Sequence, residues 1–188
     1  MAEIKVLKGL RYTPDMFLKR MAKSKKLKDT ITVRYVTTLY SMCWIFQLRI
    51  ALQATRKTTR YAGYYAGFDE IAMTPGKLAM LPSCEPQDVA EACILQDKLT
   101  EEEALQKSWE YNKTGIFRKF RNLNAPPVLE EYVTERMYKP LYLFEFYNTE
   151  LDEKKYKVLD SLTGDLEDIQ ITEEKKGTET ITQALYDA

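Results

Sequence analysis

The stretch from Lys155 to Ile169 constrains the fold more than any other, because a stretched version of it occurs earlier in the chain. Tyr156, Val158 and Asp160 alternate with Lys157 and Leu159, and Thr163-Gly164 turns the chain into Leu166 and Ile169. Period-two patterning followed by a glycine turn predicts strand, turn, strand. Around Tyr64 to Met80 the plan recurs as Phe68-Asp69, Thr74-Pro75-Gly76 and Leu78. Leu39-Tyr40 matches Leu141-Tyr142, Asp69 matches Asp160, and Gly76 matches Gly164. An aspartate accepts hydrogen bonds from turn amides and a glycine permits positive φ. Asp69, Gly76, Asp160 and Gly164 are therefore expected to be structural turn residues. One helix on a small sheet is marginal alone, whereas two such units can bury their faces together. The expected fold is α+β, with two repeated units of a helix packed on a small antiparallel sheet. Residues 1–83 would form the first unit, 84–172 a helical connection and the second unit, and 173–188 a charged tail.

Local signals fill in this plan. Ile4 to Leu10 suits a leading strand, and Thr13-Pro14-Asp15 reads as a helix start, with the helix expected to end near Lys28. Thr30 to Gln53 is rich in residues that fit a pleated surface, which predicts two strands or one long bent strand. A helix through Leu39–Leu52 is the alternative, since apolar runs are ambiguous by periodicity alone. Thr55 to Thr59 reads as a hairpin tip and Arg60 to Phe68 as the returning strand, with Gly63 and Gly67 marking bulges or close backbone approach. Asp88 to Leu95 is expected to be a short helix, and Thr100-Glu101-Glu102-Glu103 opens another with a capping box. Tyr138 to Tyr147 alternates as a strand, and Thr178 to Ala188 reads as a short helix or a disordered tail.

The string Tyr156-Lys-Val-Leu-Asp160-Ser-Leu-Thr-Gly164-Asp-Leu, preceded by the Thr100–Leu105 helix, resembles the PepSY module. Residues 13–82 resemble it more loosely. Such modules are helix-plus-hairpin units with an acidic residue and a Thr-Gly turn before the final strand. The resemblance implies a binding or inhibitory accessory domain rather than a catalyst.

Composition narrows the chemistry. The chain has no histidine, which removes every Ser-His or Cys-His hydrolase. Cys43, Cys84 and Cys93 form no CxxC, so a structural zinc is not expected, and no sequence motif calls for a cofactor. Met1-Ala-Glu-Ile-Lys lacks the pattern of a cleavable signal, and the weakly polar run Tyr35–Leu48 is too short to span a bilayer. A soluble cytoplasmic protein is the expectation.

Charge is unevenly spread. Residues 1–65 carry 14 Lys and Arg against Glu3, Asp15 and Asp29, a net of +11 that the remainder cancels. Such a split either presents a basic face to a partner or is neutralised within the fold. The sharpest candidate surface is the basic and aromatic segment Arg49 to Tyr65, with Arg56, Lys57, Arg60, Tyr61, Tyr64 and Tyr65, where cations lie beside aromatic rings. Trp44 would contribute only if exposed. The expected function is non-enzymatic: a binding or accessory protein that recognises another macromolecule, foremost a protein partner. One alternative is nucleic-acid binding through Lys19 to Lys28 with Arg56 to Arg60. A second is a small-molecule binder or enzyme with an aromatic-lined pocket between sheet and helix. Self-association is open.

Overall fold

Between Ile31 and Thr55 there is no glycine or proline to interrupt a strand, and β-branched and aromatic residues dominate. In a computed structural model that describes residues 1–24, 30–120 and 123–169, this segment is one continuous strand of 25 residues, β2 (Ile31–Thr55). The other elements are β1 (Ala2–Leu7), α1 (Pro14–Ala22), β3 (Thr58–Asp69), β4 (Thr74–Leu78), β5 (Cys84–Val89), α2 (Glu101–Lys119), β6 (Val128–Asn148), β7 (Glu153–Asp160) and β8 (Leu166–Ile169). A 3-10 turn spans Glu91–Cys93. The strand order is β4-β3-β2-β6-β1-β5, with β7 paired to β6 and β8 to β7. β1 pairs with β6 in parallel, placing Val6 opposite Tyr138.

The chain divides into two compact units. The first holds residues 1–41, 85–96 and the described residues from 138 onward; the second holds 42–84 and 97–137. In the first unit, Tyr142, Phe144 and Phe146 alternate along β6 and form a cluster with Phe17 of α1 and Leu159 of β7. The Phe17 and Phe144 ring centroids are 4.5 Å apart. Thr13 caps α1, its hydroxyl accepting from Met16 N, and Pro14 occupies the first helical position. A second cluster joins Ile4, Val6, Tyr40 and Val89.

In the second unit Trp44, Phe46, Leu48, Ile50 and Leu52 are buried on one face of β2. Ala104, Ser108, Asn112 and Ile116 recur every fourth residue along α2 and are its buried line. Ser108 Oγ donates to Gly67 O at 3.2 Å and Asn112 Nδ2 to Gly76 O at 3.3 Å, so the helix is tied to β3 and β4 by its own polar side chains. A Cβ on Gly67 would lie 3.3 Å from the Leu78 side chain and 3.4 Å from Trp44 O, a close approach on this face of β3.

These elements overturn the α+β expectation of two repeated helix-on-antiparallel-sheet units, and the PepSY resemblance with it. The fold is predominantly β, with eight strands in one mixed sheet and two α-helices among the described residues. The repeat pattern misled for a local reason. Asp69 Oδ1 accepts from Ile71 N and Ala72 N at 3.0 and 3.2 Å, and Asp160 Oδ1 accepts from Leu162 N and Thr163 N at 2.7 and 3.1 Å. The two aspartates thus head turns of one kind. Four residues on, the left-handed position is filled by Gly164 (φ +78°) in one turn and by Met73 (φ +49°) in the other. Gly76 is not a turn residue: Thr74-Pro75-Gly76 lies inside β4, where Gly76 pairs with Gly67. Shared turn chemistry had imitated a shared unit.

Two smaller expectations also change. The helix expected over Asp88–Leu95 is strand β5 followed by the 3-10 turn. As the last strand in the order, β5 tolerates Pro86, and Leu95 N donates to Tyr40 O at 2.9 Å. α1 stops at Ala22 rather than near Lys28. Lys25, Lys26 and Lys28, and the tail from 173 to 188, lie outside the described residues. No described helix is long and apolar enough to cross a membrane.

Candidate partner-binding face

Strand alternation decides which of the six basic and aromatic candidates share a surface. Arg56 and Lys57 form the exposed tip between β2 and β3, where Lys57 N donates to Thr55 Oγ1 at 3.2 Å. Beyond the tip the register pairs Arg60 with Leu52, Tyr61 with Ala51, Tyr64 with Leu48 and Tyr65 with Gln47. Tyr61 and Tyr65 therefore share a face with Gln47, Arg49 and Ala51, while Arg60 and Tyr64 point the other way. Tyr64 is committed to the fold: its hydroxyl donates to Asn112 Oδ1 at 3.1 Å. Burial, and then the nearby Tyr111, raise its phenol pKa. Trp44 is 1% exposed and offers nothing to a partner.

The face that carries Tyr61 is organised by Arg49. Its guanidinium lies 4.8 Å from the centre of the Tyr61 ring, and Nη1 pairs with Glu131 Oε2 at 3.1 Å. Gly63 sits directly opposite Arg49, and a Cβ there would meet nothing within 4 Å. The missing side chain leaves the arginine room to lean across to Tyr61. Gln47 Nε2 donates to Glu135 Oε1 at 3.2 Å on the same side. Val133 stands between Glu131 and Glu135 on β6 and is 60% exposed. The result is an open strip of tyrosine, arginine, acid and valine, with the Arg56-Lys57 tip at its end. Arg49 opens the candidate segment but was not named among its contact residues; its signal is the alternation that sets it beside Tyr61 once Gly63 is recognised as its opposite number.

Buried in the same unit is a polar network that sequence reading missed. Glu70, 2% exposed, accepts from Trp44 Nε1 at 2.6 Å and from Lys98 N at 2.9 Å. Burial raises its pKa, the hydrogen bonds from Lys98 and Trp44 oppose that, and Asp97 adds to it. Asp97 is raised by burial and held back by Arg136, 3.9 Å away. Arg136 in turn lies 4.8 Å from the Trp44 ring centre. These groups close on one another and hold the chain around Lys98 against β2. Of the turn residues in the first unit, Asp160 also takes a charge from the fully buried Lys139. Its pKa is raised by burial but lowered overall by Lys139 and the two turn amides. Among the described residues no group of three or more Cys, Asp and Glu converges to hold a metal ion.

No family model, curated protein or solved structure matches the chain.

Proposed function

We propose that this is a non-enzymatic binding protein that recognises a protein partner through the Arg49–Tyr61 strip and the Arg56-Lys57 hairpin tip. The observation that supports it most is the arginine held between an exposed tyrosine and Glu131 on an otherwise open sheet face. Tyrosine and arginine on a preformed surface are the residues that dominate interface energetics, because both bury large area at little cost in ordering. At the tip that ends the strip, Arg56 and Lys57 have no carboxylate partner among the described residues, which favours an acidic group on the partner there. A cytoplasmic setting belongs to this reading; Cys43, Cys84 and Cys93 form no disulfide with one another.

The test is cross-linking and capture with wild-type protein, followed by affinity measurement on the purified partner. Tyr61→Ala and Arg49→Ala should each weaken binding about tenfold or more, and the Arg56→Glu/Lys57→Glu pair should slow association without loss of fold. If the same variants leave affinity unchanged, the strip is not the contact. Binding that follows phosphate and collapses steeply with salt would instead select nucleic acid as the ligand.

A further inference from the structure

The first unit contains a groove of about 980 Å³ between α1, the Tyr12 segment and the β7–β8 turn. Its apolar lining is Met21 of α1 and Leu166 of β8 over Phe17 and Leu159 of the core cluster, with Ser24 beside them. The Tyr12 ring forms an end wall, lying so close over Gly164 that any Cβ there would collide with it. Along the α1 rim stand Lys19, Arg20 and Lys23. All three are exposed, and none has a carboxylate partner among the described residues. Met16, 55% exposed, lies at the mouth among them.

This division of chemistry discriminates between occupants. A peptide would bring amide groups against the apolar side chains of Phe17, Met21, Leu159 and Leu166, at a desolvation cost for each. An unbranched hydrocarbon brings none. Methionines at the mouth and floor adapt to a flexible chain. The unpaired cations are gathered at one side, where a single terminal anion would sit. The geometry points to a binding site for one monomeric long-chain fatty carboxylate, its alkyl chain along Phe17, Met21, Leu159 and Leu166 and its carboxylate against Lys19, Arg20 and Lys23. The groove belongs to the first unit and the Arg49–Tyr61 strip to the second, so either reading can fail alone.

The test is calorimetric titration of the full chain with octanoate, decanoate and dodecanoate below their micellar concentrations. Saturable one-to-one binding is expected, tightening about fourfold per added methylene. Dodecyltrimethylammonium, with the same tail and the opposite charge, should bind at least tenfold more weakly than dodecanoate. Arg20→Glu and Met16→Glu, both at exposed positions, should each cost dodecanoate about tenfold in affinity while leaving the thermal midpoint in place. Affinity independent of chain length, equal binding of the cationic amphiphile, or full dodecanoate binding by both variants would overturn the proposal. So would association with phosphatidylcholine–phosphatidylglycerol vesicles in the absence of saturable dodecanoate binding, which would make the face a membrane contact.

Discussion

Trp44 Nε1 donates to Glu70 Oε1 across 2.6 Å in the buried part of the second unit. The other carboxylate oxygen accepts from Lys98 N at 2.9 Å, and Glu70 N itself donates to Met42 O at 3.3 Å. One acidic side chain thereby joins β2, the turn after β3 and the approach to α2. Replacing Glu70 with alanine orphans two buried donors and should destabilise the protein by about 3 kcal/mol. Denaturant unfolding measures this directly; a loss below about 0.5 kcal/mol would show that water or another acceptor fills the role.

The same residue sets a pH dependence. A raised pKa means that the folded chain holds the Glu70 proton more tightly than the unfolded chain does. Stability from this group is full below the ordinary carboxylate range and declines as pH climbs from the unfolded value to the raised one. Asp97 acts with the same sign. Asp160 is lowered and acts in reverse: its contribution is present above the ordinary aspartate value and is lost as pH falls toward the lowered one. The unfolding midpoint plotted against pH should therefore fall on both sides of a mildly acidic optimum. Glu70→Gln should flatten only the upper limb, and Asp160→Asn only the lower.

Lys139 is 0% exposed and is paired with Asp160 in the first unit. Lys139→Met strands a carboxylate that is largely withdrawn from water and should cost about 3–5 kcal/mol. Adding Asp160→Asn, which keeps an acceptor for Leu162 N and Thr163 N, should recover at least about 1 kcal/mol of that loss. Strict additivity in the double-mutant cycle would mean that the two charges are not coupled.

Met73 and Gly164 fill equivalent left-handed positions, so substitutions there should act in opposite directions. Gly164→Ala forces a Cβ into both an unfavourable φ and the Tyr12 ring, and a loss above about 2 kcal/mol is expected. Met73→Gly relieves a strained φ at a 42% exposed site and should stabilise by a few tenths to about 1 kcal/mol. Thermal unfolding of the pair checks both signs.

Features whose cause lies within a few residues were legible in the sequence. The Thr13-Pro14 start of α1, the Thr100–Glu103 capping box and the Arg56-Lys57 tip are local hydrogen-bond or turn problems with local solutions. Helices and turns could thus be placed while their assembly could not. β5 was misread because Val89 and Cys93 imitate a helical face; they are in fact packed with Tyr40, which is distant in sequence. The first half of β6 reads as polar because Glu130 and Glu131 are exposed and Glu135 only partly covered, and only pairing makes it a strand. Glu70 carries no local signal of its role, since nothing nearby in the sequence announces that Trp44 and Lys98 will meet it. Among the site candidates, strand parity separated Tyr61 from Tyr64, a distinction that depends on a register no single strand contains.

The parallel pairing of Val6 with Tyr138 has a consequence for how the chain matures. β1 precedes both of its neighbours in the sheet, β5 and β6, and its parallel pairing waits until the chain has run on to Tyr138. Closing a loop of that length is slow, and this docking step is the natural rate-limiting event.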